Sequence, residues 1–312
     1  MKVLVSLGGN AILKHGQKGT AEEQSINVQN TAKHLAALLR RGERIAITHG
    51  NGPQVGNILL QNEISKETLP PMPLDVCGAE SQGMIGYMLQ RALRSELGSE
   101  AANVPVATIV SQTLVDAEDP AFKNPTKPVG PFYTAKEAKQ LGESKGWRMI
   151  SDSGRGYRRV VPSPTPLDIL ERDTIIRLFE TGTVVIGVGG GGVPVIRDKD
   201  GKLRGVEAVL DKDRTAALLG KTLGVETLLI LTDVEKVFIN YGKPDQRALD
   251  RMTVHECKKY LAEGQFPSGS MGPKVESAVS FLSDSNGKRV GIASLEMAEK
   301  ALDRRAGTTI TN

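Results

Sequence analysis

Cysteine is scarce in this chain: Cys77 and Cys257 are the only two in 312 residues, far apart and outside any CxxC pair. That spacing speaks against a disulfide framework or a zinc ribbon and suits a reducing compartment. Long apolar runs are missing too, and none approaches a membrane span. The opening MKVLVSLGG reads as a strand entering glycines rather than a basic and then apolar leader. The expectation is a cytoplasmic protein with no membrane partner. Lysine and arginine form no run, and the net charge is only +4, which disfavours nucleic acid and leaves small anions as the better partners. Low-complexity tails and clear repeats are absent. Four scattered histidines, a His255-Glu256 pair without a second histidine, and the lack of GxSxG, HRD and DFG weaken the metal-hydrolase, serine-hydrolase and protein-kinase readings.

What is present is an ordinary globular composition, 24% charged and 39% hydrophobic, sufficient for one large core or two medium ones. Runs rich in Val, Ile and Leu at Lys2–Leu7, Arg44–Thr48, Val106–Val110, Val184–Val188, Thr227–Leu231 and Arg289–Ala293 alternate with amphipathic patterns. The patterns predict helices over Ser25–Arg41, Glu80–Leu97, Asp168–Glu180, Asp213–Lys221, Val254–Ala262, Pro273–Leu282 and Glu296–Arg304. Such alternation implies βαβ units and a mainly parallel sheet covered on both faces. Prolines crowd the stretch from Asp116 to Pro166 around a helix-like YTAKEAKQLGESKG and a hairpin-like WRMISDSGRGYRRVVPS, which together read as an insertion off the main sheet. A second hairpin is expected in VIRDKDGKLRGVEAVL, turning at Asp200-Gly201.

Three predicted strands run straight into glycine: Leu7 into Gly8-Gly9-Asn10, Thr48 into His49-Gly50-Asn51-Gly52, and Val188 into Gly189–Gly192. Each is either a tight βα turn or part of an anion site, because glycine lets a backbone N–H approach a phosphate or carboxylate unobstructed. The third loop fits the letters GxGxxG but is followed by VPVIRDKDG. That segment supplies no helix N-terminus for a pyrophosphate, so the dinucleotide reading fails. Gly220-Lys221-Thr222 likewise ends like a P-loop, but Thr215 stands where its first glycine belongs.

Lys127, Lys212 and Lys274 lie in NPTKPVGPF, VLDKDRTA and GSMGPKV. They are either solvated lysines or, if they converge, a positive clamp for phosphoryl transfer, where catalysis is largely positioning and charge neutralisation. A clamp needs a central carboxylate against self-repulsion, and Asp213 is the candidate.

LGGNAI, THGNGPQVGN, MPLDVCGAESQGMIGY, NPTKPVGPFY, GGGGVPVI, GVEAVLDKD, LTDVEKVFINYGKPDQ, GSMGPKV and AGTTIT span the chain from end to end. In these motifs it resembles the carbamate kinases of the amino-acid kinase superfamily. The resemblance implies a three-layer αβα sandwich around a mainly parallel open sheet, as one domain over 1–312 with a small protruding subdomain at about 116–166. It implies an acceptor lobe over 1–181, a nucleotide lobe over 182–312, and a homodimer serving arginine metabolism. The implied reaction is reversible transfer between ATP and carbamate, with ATP/ADP and Mg²⁺ and no metal held by protein residues. By the same resemblance Lys127, Lys212 and Lys274 are catalytic with Asp213 as their organiser. Gly8, Gly9, Asn10, Gly50, Asn51 and Gly52 surround carbamate and the transferred group. Gly189, Gly190, Gly191, Asp211, Thr232, Asp233, Val234, Tyr241 and Met271 serve the nucleotide. Val188 and Arg214 depart from the expected pattern, which calls for a smaller and an apolar residue there. The rivals are a sister kinase for another carboxylate or phosphate acceptor, and a non-catalytic nucleotide sensor.

Overall fold

The computed structural model describes residues 1–151, 156–267, 269–283 and 288–312. An eight-stranded sheet runs through it, in the order Arg251–Thr253, Thr308–Thr311, Arg289–Ser294, Thr227–Thr232, Lys2–Leu7, Arg44–His49, Val184–Gly187, Val106–Ile109. Neighbours are parallel throughout, save the antiparallel pair Arg289–Ser294 and Thr308–Thr311. The helices are α1 (Ala21–Arg40), α2 (Gly52–Ser65), α3 (Leu74–Leu97), α4 (Ala135–Lys145), α5 (Arg172–Glu180), α6 (Lys212–Thr222), α7 (Val254–Ala262), α8 (Met271–Leu282) and α9 (Ala298–Leu302).

Side chains alternate across a strand, so a strand buried on both faces feeds two cores. In the first strand Val3, Val5 and Leu7 join Val28 and Leu35 of α1, Ile85 and Leu89 of α3 and Leu302 of α9. Leu4 turns the other way, to Phe179 of α5, Leu219 of α6 and Phe281 of α8. The result is the three-layer α/β/α arrangement the alternation implies. Both cysteines are free and buried.

The six apolar runs are six of these strands. The two missed, RMT and TTIT, are short and carry polar residues. Helix boundaries differ where glycine and proline mask periodicity. Helix α3 begins at Leu74 rather than Glu80, entering from Pro73 and running through Gly78, Gly83 and Gly86. Helix α2, GPQVGNILLQNEIS, was not anticipated, although proline at its start is favourable. Asp168–Ile169 pairs as a strand, so α5 starts at Arg172. At the last predicted helix, Leu295–Met297 is a 3₁₀ turn and α9 stops at Leu302.

Among the described residues three smaller sheets sit beside this body, one of them the antiparallel pair Val237–Ile239 and Arg247–Leu249. Val193–Arg197 and Leu203–Gly205 form the anticipated antiparallel hairpin, and Val193–Arg197 also pairs with Gln112–Leu114. Lys127–Tyr133, Tyr157–Val161 and Met149–Ser151 make an antiparallel sheet of their own, backed by α4. The turn expected within its hairpin falls on 152–155, outside the described residues. Val129 and Val161 seat this sheet on Val55 of α2 and Leu74 of α3, and Lys145 pairs with Glu63 at 2.5 Å.

Helix α3 lies tightly on the edge strand: a Cβ on Gly86 would sit 2.1 Å from Cγ2 and 2.8 Å from Oγ1 of Thr108. We expect Gly86→Ala to destabilise the protein by about 1–3 kcal/mol through overpacking. In a double-mutant cycle followed by urea denaturation, that penalty should shrink by more than half when Thr108 is already alanine. An unchanged penalty would point away from this contact.

Candidate active site

The three glycine loops leave the carboxyl ends of three adjacent strands, the edge where parallel sheets gather ligands. The first strand becomes the Gly9–Ala11 turn, with Gly8 N–H donating to Leu231 at 2.8 Å. The second becomes His49-Gly50-Asn51 and opens α2, and Gly50 N–H donates to Leu7 at 3.0 Å. The starts of α2, α6 and α8 all border this edge. Three helix N-termini bring partial positive charge to it.

Alternation in the first strand turns Ser6, like Leu4, toward α6. Its hydroxyl donates to Asp213 Oδ1 at 3.3 Å and accepts from Lys212 Nζ at 3.2 Å. Asp213, 3% exposed, accepts from Lys212 Nζ at 2.7 Å on one oxygen and from Lys274 Nζ at 3.1 Å on the other. Burial alone would raise its pKa, but the charges and hydrogen bonds of the two lysines outweigh that and hold the carboxyl far below the usual aspartate range. Burial lowers the pKa of Lys212, partly offset by Asp213 and reinforced by Lys274.

Lys127 departs from expectation. Its ammonium lies 2.9 Å from Asp211 Oδ2, so Asp213 organises two of the three lysines and Asp211 holds the third. The other oxygen of Asp211 caps α6, accepting from Asp213 N–H at 3.0 Å and Arg214 N–H at 3.4 Å. One residue thereby starts the helix that carries Lys212 and anchors the lysine from the smaller sheet. Arg214 points away to Glu276 at 3.0 Å and leaves the packing intact.

The third loop is built for contact. Val188 sits at φ 56, a left-handed conformation costly for a β-branched residue. Ser111 Oγ accepts from its N–H at 3.0 Å, and its carbonyl accepts from Thr48 Oγ1 at 2.9 Å. A Cβ on Gly189 would lie 2.4 Å from the His49 ring, and one on Gly190 2.3 Å from the Asn51 side chain. Asn51 in turn donates to Ser81 at 2.8 Å.

Two cavities meet at Lys212, Ser270 and Lys274. The larger, about 370 Å³, is lined by Phe238, Tyr241 and Phe266, by Gly8, Gly9 and the two lysines, and by Asn10, Thr232, Asp233, Val234 and Met271. The smaller, about 220 Å³, is walled by Gly50, Asn51, Gly52, Lys127, Asp211 and Gly190.

Of the site residues named from the sequence, all but Gly189 and Gly191 line one double cavity, with three differences of placement. Gly8, Gly9 and Asn10 line the larger cavity instead of sharing the smaller one with Gly50–Gly52. Asp211 lines the smaller. The Gly189–Gly191 run also borders the smaller, through Gly190, and is no open wall of N–H groups: Gly191 and Gly192 donate back to Val188 and Gly189 at 3.0 Å. Sequence reasoning missed Ser6, Ser81 and Ser111. The signal for Ser6 was a lone hydroxyl inside KVLVSL.

The amino acid kinase family model matches residues 1–294. A carbamate kinase of Thermococcus kodakarensis is 51% identical over 312 residues, covering 99% of this chain and 98% of the relative. Among solved structures, one from Aeropyrum pernix superposes with a TM-score of 0.94 at 44% identity, covering 100% of this chain and 99% of that one. Carbamate kinase from Giardia lamblia bound to AMP-PNP gives a TM-score of 0.92 at 44% identity, covering 99% and 98%.

Asp213→Asn keeps the shape and removes the charge. We expect a loss of about 3–5 kcal/mol at neutral pH, since two buried ammonium groups lose their counterion. Because the folded pKa of Asp213 is depressed, its contribution is fully present above about pH 4 and is lost as pH falls toward the folded value. The difference between wild type and variant in urea denaturation should therefore be flat near neutral pH and shrink in acid as Asp213 is protonated, and it should shrink again in alkali, where Lys212, its pKa already lowered, sheds its charge. A difference that stays undiminished in acid would contradict this account.

Proposed function

The chain belongs to the amino acid kinase family, among its carbamate kinases, and from that premise we propose that it transfers a phosphoryl group reversibly between ATP and carbamate. The observation that carries the reading is the meeting of the two cavities at Lys212 and Lys274, with Asp213 between the ammonium groups. The larger cavity has room and an aromatic lining for a nucleoside, and lysines for its phosphates. The smaller, walled by glycine backbone and Lys127, suits a small planar anion.

In this reading ATP lies with its base toward Phe238 and Tyr241. Tyr241, 66% exposed, has its ring 6.0 Å from that of Phe238. Thr232, Asp233, Val234 and Met271 border the nucleoside, and Gly8, Gly9 and Asn10 approach the transferred group. Carbamate lies against Gly50, Asn51 and Gly52, with Lys127 on its far side and Gly190 closing the wall. Lys212 and Lys274 flank the phosphoryl group between them. They neutralise charge on its equatorial and bridging oxygens as it passes in line from one oxygen to the other. Asp213 takes no proton from substrate, since its carboxyl stays ionised; it holds the lysines apart and aimed. Mg²⁺ would neutralise the nucleotide phosphates. Such an ion would be bound mainly through substrate phosphates and water, the usual habit of Mg²⁺ in kinase sites.

The nucleotide lobe corresponds to 182–312 and the acceptor lobe to 1–181, with the smaller sheet inside 116–166 as the protruding subdomain that carries Lys127. A homodimer in the cytoplasm, working in arginine metabolism, completes the reading. Among the described residues no helix is long and apolar enough to cross a membrane.

A coupled assay of ATP formation from carbamoyl phosphate and ADP tests it. Wild type should turn over, and Lys212→Ala should lose roughly 10²–10³ in turnover, about 3–4 kcal/mol, as for one preorganised transition-state donor. ADP binding by calorimetry without any turnover would replace the kinase with a nucleotide sensor. Phosphorylation of another acceptor alone would make it a sister kinase. Near-wild-type turnover of the lysine variant would remove Lys212 from the mechanism.

A further inference from the structure

His49 opens the second glycine loop, yet the mechanism above gives it nothing to do. It is 1% exposed, and its Nδ1 lies 3.0 Å from the carbonyl oxygen of Gly50. A carbonyl only accepts, so Nδ1 carries the proton and Nε2 the lone pair. Burial pushes the imidazole pKa down to about 4; the hydrogen bond to Gly50 opposes this, and the charge of Lys212 adds to it. The ring is therefore neutral and adds no charge to the lysine cluster. Its opposite edge is pressed on Gly189, where a Cβ would lie 2.4 Å from both Cε1 and Nε2. The imidazole has no room to turn.

A trans peptide is planar, with its C=O and N–H pointing in opposite directions. A Gly50 carbonyl held toward the imidazole consequently turns the Asn51 N–H away from it. Among the described residues that N–H, like the one on Gly52, has no protein acceptor. Both residues stand at the start of α2 on the wall of the smaller cavity, with Lys127 and Lys212 among its other lining residues. Gly50 cannot flip freely, because its own N–H is bonded to Leu7 and its Cα faces Gly9 N and the Lys212 stem, 3.4 and 3.5 Å from where a Cβ would be.

We propose that His49 is a positioning residue for the acceptor: by donating Nδ1–H to Gly50 it fixes the Gly50–Asn51 peptide so that the Asn51 N–H is presented to an oxygen of the carbamoyl group. The proposal rests on reading the smaller cavity as the carbamate side. It makes the side chain act on the acceptor and leave the nucleotide alone.

The test compares His49→Asn with His49→Gln. Asparagine places an amide N–H where Nδ1 was, whereas glutamine carries its donor one bond further, near the position of Nε2. In the ATP-forming assay His49→Gln should raise the KM for carbamoyl phosphate roughly tenfold or more, the value of one hydrogen bond to a charged ligand. Its affinity for ADP by calorimetry should stay unchanged, and His49→Asn should recover most of the loss. Equal defects in both variants, or a parallel loss of ADP affinity, would mean that the ring only fills space. Where the glutamine variant fails to fold, nitrogen-15 NMR of the wild-type histidines decides: one buried ring must show the Nδ1–H tautomer at neutral pH, and an Nε2–H tautomer there overturns the proposal. That measurement does not depend on substrate. A wild-type protein forming no ATP from carbamoyl phosphate would instead sink the functional reading, and this proposal with it.

Discussion

A single buried carboxylate holds two ammonium groups at the junction of the two cavities, and the rest of the site is arranged around that fact. Lys212 stands at the first position of α6 and Lys274 in the first turn of α8, where the helix dipole is unfavourable for a cation. Without Asp213 both lysines would be drawn away from helix ends already positive and away from each other. With it they stay close, yet between them they carry one charge more than Asp213 neutralises. That residual charge is what attracts and aligns a transferable phosphoryl group. Ser6, sharing hydrogen bonds with Lys212 and Asp213, ties the cluster to the central strand.

The parallel sheet makes this arrangement possible. Strands pointing the same way deliver their following loops to one edge, and a helix that follows such a strand, as α2 follows Arg44–His49, starts there. Three loops short of side chains and three helix starts thus converge without any long excursion of the chain. The antiparallel sheet carrying Lys127 enters from outside this plan, seated on α2 and α3 by a handful of apolar contacts and by ion pairs. Its lysine meets Asp211, so three ammonium groups face two carboxylates and the resting cluster keeps one positive charge. An anion that competes with Asp211 for Lys127 adds to that pull.

Much of this was legible in the residues. Six continuous apolar runs marked the buried strands because a strand covered on both faces has no polar side to interrupt it. Lys127 and Lys274 stood out among glycines and prolines, and Lys212 and Asp213 at the end of an apolar run just before a helix. Other features were hidden for physical reasons. Helix α2 consists largely of residues poor in helix propensity and is held by packing and its position after a strand. The strand Thr308–Thr311, second from the edge, is four residues long and three of them are threonine, too short and polar to stand out as an apolar run. The division of the lysines between Asp211 and Asp213 depends on where a separate sheet docks, which no local pattern encodes. The residues of the glycine run leave a tight turn and an anion site equally open, and what they chiefly do is admit the side chains of a neighbouring loop.

That last contact constrains how the protein can vary. The space a side chain would occupy at 189 is filled by His49, and the space at 190 by Asn51, so residue size is traded across two loops more than a hundred positions apart in sequence. A larger residue in the run is sterically admissible only after a smaller one has appeared opposite, and the smaller one by itself opens a void beside the acceptor. Any single-step path between two workable pairs therefore crosses an unfavourable intermediate. The two loops behave as one inherited unit, and an alternative wall for this cavity is reached by paired changes.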